Sequence, residues 1–370
     1  MDRSDILLIG LGGAGGCLVD SIVSRNPMFE CLFINTSITD IESLNNANEY
    51  TENFYCISKK NGVGRNREVG KAFAKQRGLN ILDTINKYTQ NTVYLVSSLG
   101  GGSGSSILSV ITEGIDKIGE DFDKKINVIC ILPSLDSSSI ILRNTIDSWN
   151  EIMNRKCINS MMFIDNNNIN NSSNINSSEE DINESFSELF DSVFDIPVDN
   201  GTNFDEGNLG NILNDRGCLY IYNLNEYSNI EEAIKNKDSN STIAKMYVNN
   251  LNTEVLNNEH VAIKCGYIGI SFNNENYNKS YIYKNYLSDS RKEVYIGDNS
   301  YGNDILLLSG MLPPMDSIGL IEHELKTRKE NADNGIDFSR FSSNNVSIIK
   351  DNKVDIKVKK KKKLPKNLFS

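Results

Sequence analysis

The chain has 370 residues, 49 acidic against 38 basic side chains and a net charge of −11, and its hydrophobic share of 39% is enough for two ordinary cores. No apolar run approaches the ~18 residues that cross a membrane, and the first strand pattern starts with no signal-peptide pattern before it. The seven cysteines are scattered through apolar runs without a C-x-x-C pair, so they read as reduced core residues of a cytoplasmic protein, not as disulfides or a zinc site.

In chain order, strand patterns fall at 5–9, 31–34, 54–57, 92–97, 126–132 and 160–164, and helix patterns at 12–25, 67–88, 104–118 and 139–155. This alternation predicts a parallel sheet covered on both faces. Residues 182–194 carry apolar side chains at helical spacing and predict a long central helix. A further helix begins near Leu209. Strand patterns at 218–222, 261–272, 280–283, 294–297 and 304–308 then suit a smaller α+β domain, and a charged helix opens at Ser317. The expected fold class is therefore α/β: a Rossmann-like parallel-sheet domain (1–178), a central helix (179–200), an α+β region (201–333) and a disordered basic tail (334–370).

Two glycine loops carry the chemistry. Gly100-Gly101-Gly102-Ser103-Gly104-Ser105-Ser106 follows the run Thr92–Val96 and opens a helix; Gly10-Leu11-Gly12-Gly13-Ala14-Gly15-Gly16 does the same after Ile6–Ile9. A strand feeding a glycine turn that opens a helix aims free backbone N–H groups and the positive helix end at one point, a geometry for phosphate. Taken alone, the first loop is a G-x-G-x-x-G dinucleotide fingerprint, but the second strand ends in Asn35-Thr36-Ser37, where an NAD-binding unit wants an acid. There is no Walker-type lysine loop either. Two glycine loops suggest one polyphosphate gripped from two sides, its charge met by amides, helix ends, a metal ion and a distant arginine.

At these residues the chain resembles the tubulin/FtsZ superfamily of self-assembling GTPases. Gly100–Ser106 is similar to the signature loop, and Asn35-Thr36 to the pair ending the second strand. Gly62-Val63-Gly64-Arg65-Asn66-Arg67-Glu68-Val69-Gly70 resembles the loop that senses the γ-phosphate, and Pro133 followed by Arg143 the loop whose arginine reaches the nucleotide, with Ser139 where the FtsZ glutamate stands. The resemblance implies GTP/GDP and Mg2+ as cofactors, with no metal site of the protein's own. It implies nucleotide contacts from Gly12, Gly13, Ala14, Gly15, Gly16, Asn35, Gly64, Arg65, Asn66, Gly100, Gly101, Gly102, Ser103, Gly104, Ser105 and Arg143, with Asn166 and Asn183 reading guanine. Asn203-Phe204-Asp205-Glu206-Gly207-Asn208 resembles the catalytic loop N-x-D-x-x-D, which serves the next subunit's nucleotide. Asn203 and Asp205 match it, Asn208 replaces the second acid, and Glu206 stands nearby. The competing reading of this stretch is a plain Asx-rich turn.

Residues 351–370 hold eight lysines, Lys359, Lys360, Lys361, Lys362 and Lys363 among them, against two aspartates, a balance of +6 with no core-forming pattern. Such a tail is either a solvated end or a dock for an acidic partner. With the serine-bearing signature loop, it resembles the plasmid and phage partitioning branch of the superfamily, TubZ. That implies head-to-tail filaments and a DNA-binding adaptor of the TubR type on centromeric DNA, without a membrane contact. The alternatives are an FtsZ-like division protein, a phage spindle tubulin, a nucleotide-binding scaffold without hydrolysis and a Rossmann oxidoreductase.

Overall fold

A computed structural model of the chain describes residues 1–48, 50, 52–58, 62–167, 179–196, 204–223, 253–256, 260–263, 266–272, 293–298, 304–311 and 313–333. Ile6–Leu11 is apolar at every position but one, and a run that is buried on both faces belongs in the middle of a parallel sheet. It forms β1, followed by α1 (Gly12–Arg25), β2 (Glu30–Asn35), α2 (Ile38–Glu42) and β3 (Phe54–Cys56). Next come α3 (Arg67–Asn86), β4 (Thr92–Ser98), α4 (Ser103–Ile118), β5 (Lys125–Leu132), α5 (Ser139–Ile152) and β6 (Ile158–Asp165). The predicted central helix is α6 (Glu179–Ser192), continued by a short 3-10 turn, and α7 (Glu206–Leu213) follows. The remaining elements are β7 (Gly217–Asn223), β8 (Thr253–Leu256), β9 (His260–Ile263), β10 (Ile268–Phe272), β11 (Val294–Asp298), β12 (Ile305–Met311) and α8 (Met315–Asp333).

Ten strands form one sheet in the order β3-β2-β1-β4-β5-β6-β7-β12-β10-β11, parallel from β3 to β7, with β12 antiparallel to both neighbours. Alternation along the strands builds two core layers. Leu7, Ile9, Val93 and Leu95 pack with Ile81, Ile107, Ile111 and Trp149, while Ile6, Leu8, Tyr94 and Val96 pack with Leu18, Ile22, Phe186 and Phe190. An edge-on aromatic contact fixes α6 on the second layer: Phe190 meets Tyr94 of β4 at 5.5 Å between ring centroids. Arg3 holds the far end of α6 through Asp191 at 2.6 Å and Asp195 at 2.7 Å.

Two expectations change in detail. The strand predicted over 261–272 is two strands, one pairing in a separate hairpin with β8 and one entering the main sheet. Before β10, Gly266 donates its backbone N–H to Ser309 at 2.7 Å, and a side chain there would collide with the Asp215 carboxylate. Cys17 is exposed rather than in the core, although Cys31, Cys130 and Cys218 are buried as expected. The predicted strand at 280–283 and the tail lie outside the described residues. Among the described residues no helix is long and apolar enough to cross a membrane.

Candidate nucleotide site

The strand order 3-2-1-4-5-6 places a topological switch between β1 and β4, and ligands of such sheets bind at the strands' carboxyl ends there. Both glycine loops leave the sheet at this point. Neither α1 nor α4 has a side-chain cap, and neither carries an acid in its first turn. Their first backbone N–H groups are left for a ligand, and the helix dipoles favour a negative one.

The glycines divide into two sets. A Cβ on Gly12, whose φ is +71°, would lie 2.6 Å from the Gly104 nitrogen; one on Gly104 would run into the Leu11 carbonyl and lie 2.7 Å from Ser97 Oγ. A Cβ on Gly15 would strike the Val96 carbonyl, and one on Gly102 would lie 2.6 Å from Arg65 Cα. These four are glycine because the loops pack against each other and the sheet. Gly13 and Gly101 are different: an added Cβ would meet only one atom, at 3.9 Å, in each case. With room on the protein side, their lack of a side chain fits the close approach of a ligand.

The surrounding residues shape this mouth. Thr36 Oγ1 and Ser103 Oγ are 2.6 Å apart, joining the end of β2 to the second loop. Asn35 is buried and turns the chain locally, accepting from the Thr36 N–H at 2.7 Å and donating to Asp40 at 3.3 Å. Asp40, unmarked by any sequence signal, is the residue nearest to a Cβ on Gly13. Asn66 caps α3 through the Val69 N–H at 3.2 Å. Ser105 is buried, donating to the Gly101 carbonyl and accepting from Arg67 Nε at 3.0 Å. Arg67 also pairs with Glu151 at 2.7 Å, which Lys71 meets at 2.6 Å. Burial opposes ionisation of Glu151, but the hydrogen bonds from Arg67 and Lys71 outweigh it and hold the carboxyl at about 2. The linked residues are 84 apart in sequence, so no local pattern announces them.

Behind the second loop, Ile141, Asn144, Thr145 and Ser148 form one face of α5 at helical spacing. Ile141 and Thr145 would obstruct a side chain on Gly100, and Ser148 donates to the Leu99 carbonyl at 2.9 Å. Arg143, adjacent on that helix, is exposed, as is Arg65. Both are available as cations for a phosphate ligand.

Gly13, Ala14 and Cys17 make up the exposed edge of the first helical turns, and Cys17 opens onto a cavity of about 560 Å³ that Asn183, Glu180 and Asp20 also line. Four residues of helix separate Gly13 from Cys17, about 6 Å, so phosphates at the loops leave a base within reach of this cavity. Asn183 is thus brought to the site. Asn166, past the end of β6, does not line the cavity. Its neighbour Asp165 is buried, which pushes its carboxyl up to about 6 against hydrogen bonds from Asn167.

Asp205 and Glu206 stand elsewhere. Asp205 caps α7, accepting from the Asn208 N–H at 2.8 Å. Glu206 lines a second cavity, of about 470 Å³, with Ser4, Asp5, Thr92 and Lys125, at the amino ends of β1, β4 and β5. That is the edge opposite the glycine loops, roughly a strand length of about 20 Å away. Asn203 lies outside the described residues. Among the described residues, no group of three or more His, Cys, Asp or Glu could hold a metal.

Residues 5–174 match the Tubulin/FtsZ family, GTPase domain. The chain carries a tubulin/FtsZ-family GTPase domain. The tubulin-like protein TubZ of Clostridium botulinum C phage is 29% identical over 170 residues, 45% of this chain and 46% of that protein, so the match spans less than half of the relative. The crystal structure of Clostridium botulinum phage c-st TubZ has a TM-score of 0.71 at 22% identity and covers 89% of this chain and 99% of that one. A GTPγS-form protofilament structure of Bacillus thuringiensis serovar israelensis TubZ follows at a TM-score of 0.67 and 16% identity, covering 90% and 94%. At these identities the structures establish the tubulin/FtsZ fold beyond the matched domain.

Proposed function

We propose that this protein binds GTP between its two glycine loops and hydrolyses it where a second copy supplies Asp205, so that copies assemble head to tail into filaments. The observation that carries this reading is the separation of the two halves of the site. The anion-binding loops lie at the carboxyl edge of the parallel sheet, and the Asp205 carboxylate lies at the amino edge with Glu206. One chain cannot bring the two together, but two chains stacked along the strand direction can. Phosphoryl transfer is mainly positioning and charge stabilisation, and a carboxylate from the neighbour would orient the attacking water.

Backbone amides of Gly13, Gly101, Ser103 and their neighbours would hold the phosphates, Arg65 and Arg143 would add charge, and Asn183, which lines the cavity beside Cys17, would read the base. Mg2+ would arrive with the triphosphate, which needs only one or two protein oxygens in addition; the Thr36 and Ser103 hydroxyls and Asp40 fit that role. Support for self-assembly comes from the TubZ relative whose structure is a GTPγS-form protofilament. A finer reading follows the likeness to TubZ: a cytoplasmic filament that moves plasmid or phage DNA through a TubR-type adaptor docked on Lys359–Lys363. Deleting 351–370 should spare hydrolysis and filaments and abolish adaptor–DNA binding. The capping role of Asp205, with Asn208 at the second acid position, favours one other reading, a nucleotide-binding scaffold without turnover.

Electron microscopy of the protein with GTP, GDP and a slowly hydrolysed GTP analogue, beside GTPase rates at rising protein concentration, tests the proposal. Filaments with GTP and an activity per molecule that climbs with concentration are expected. An activity per molecule independent of concentration would overturn hydrolysis across a shared site, and filaments with no turnover would leave the scaffold.

A further inference from the structure

Asn144 belongs to neither glycine loop, and the function above does not use it. Its side chain is buried, 7% exposed. Its amide nitrogen donates to the Arg65 carbonyl at 3.0 Å and to the Gly100 carbonyl at 3.2 Å. One side chain therefore commits both amide protons to joining two separate loops of the site.

The loop it holds is unusual. Gly62, Gly64 and Arg65 have φ of +82°, +57° and +65°. A non-glycine residue in this region is strained and persists only where its surroundings over-determine it. Gly62 and Gly64 offer little help, since a Cβ on either would meet nothing within 4 Å. The Gly62 N–H reaches the Thr36 carbonyl at 3.3 Å and the Asn66 N–H the Val63 carbonyl at 3.0 Å. At Arg65 itself the fixed points are the close approach of its backbone to Gly102 and the Asn144 amide, with the Asn66 cap on α3 beside them. Asn144 is in turn rigidly placed, because Ile141, Thr145 and Ser148 on the same face of α5 abut Leu99 and Gly100.

We propose that Asn144 is a positioning residue that locks residues 62–66 to the Gly100 loop, so that a terminal phosphate held by one loop is felt by the other. The proposal rests on the GTP reading above. On that reading the terminal phosphate of GTP meets residues 62–66 and a diphosphate does not, so the tie matters for GTP and little for GDP. An apolar residue in this place would leave both carbonyls without their donor. An aspartate would set a carboxylate against them, and only its protonated form could donate one bond.

The test compares Asn144→Asp and Asn144→Ser with wild type. At pH 7.5, Asn144→Asp should weaken GTP binding roughly tenfold, in line with two lost hydrogen bonds, with GDP binding within about threefold of wild type on the same scale. Burial raises a carboxyl pKa, so the GTP defect should shrink as pH falls toward 5.5. Asn144→Ser, with at most one donor, should show an intermediate defect with no such recovery. Without nucleotide, amide exchange at 62–66 should speed up in both variants while β1 and β4 stay protected. An unchanged GTP-to-GDP affinity ratio at every pH, with unchanged exchange at 62–66, would overturn the proposal, and the serine variant decides it if the aspartate variant does not fold. Wild type that binds no GTP would instead defeat the GTP reading, and the exchange experiment would still test the tie.

Discussion

Gly101 and Gly104 lie three residues apart in the same loop, yet alanine should act on them in opposite ways. At Gly104 the new methyl would strike the Leu11 carbonyl and lie 2.7 Å from Ser97 Oγ. Leu11 and Ser97 belong to neighbouring central strands paired in register, so neither can retreat. Overpacking of this kind costs about 1–3 kcal/mol, a fall of several degrees in melting temperature at ~2–4 °C per kcal/mol. At Gly101 the methyl would meet only the Ser98 carbonyl at 3.9 Å, an ordinary contact. There the folded protein should gain about 0.4–1 kcal/mol, because the unfolded chain loses freedom. The methyl would, however, fill the space a phosphate must enter, and GTP affinity should fall at least ~tenfold, or ~1.4 kcal/mol. Thermal unfolding without nucleotide and titration with a fluorescent GTP analogue separate the two effects. A Gly101→Ala protein that binds GTP like wild type would refute the assignment of Gly101 to the ligand face. A Gly104→Ala protein that melts like wild type would refute the packing of the two loops.

Asp205→Asn should preserve the cap on α7, since asparagine is as good an N-cap as aspartate, while removing the carboxylate; GTPase activity should collapse with an unchanged melting temperature, and normal turnover would move the role to Glu206. Glu151 and Asp165 should give opposite pH dependences, read from denaturant unfolding between pH 2 and 8. Glu151 is held at about 2, below its unfolded value, so its contribution is present above about pH 4.5 and is lost as pH falls toward 2, a dependence that Glu151→Gln should remove. Asp165 is raised to about 6, so its contribution is greatest below its unfolded value near 4 and is lost as pH rises through 6; Asp165→Asn should flatten that decline.

The parallel half of the fold was legible because its central strands, such as Ile6–Leu11 and Glu30–Asn35, are apolar runs that alternate with helix patterns, and α1, for example, spans Gly12–Arg25 as its pattern predicts. The pairing of β12 with β7 and β10 was not, since local pattern carries no information about which strands meet. Both glycine loops could be read as anion sites, but the sorting of their glycines could not. The resemblance implies nucleotide contacts from Gly101 and Gly104 alike, whereas in the structure a side chain on Gly104 would meet the Leu11 backbone and one on Gly101 would meet almost nothing. Asn144 and Glu151 left no mark, and nothing set Arg67 apart within its loop, because their partners lie across the fold rather than at a fixed spacing.

β6 and β7 meet through two paired residues, Ser160 with Gly217 and Met161 with Cys218, whereas β5 and β6 pair over six. Side-chain bonds reinforce this short join: Ser160 Oγ reaches the Leu213 carbonyl at 2.7 Å and Asn127 reaches Asn214 at 3.0 Å. The join is thus a seam with few ladder bonds to break, the kind of place where a sheet parts by sub-global opening before either flank unfolds. Both anion-binding loops lie on one side of it and the strands that carry α7 on the other. Any pivot at Ser160 that re-aimed Asp205 would leave both glycine loops in place and would have to break the bond of the Met1 ammonium to the Glu206 carbonyl, at 2.7 Å, one of the contacts that tie the start of α7 to the first strands.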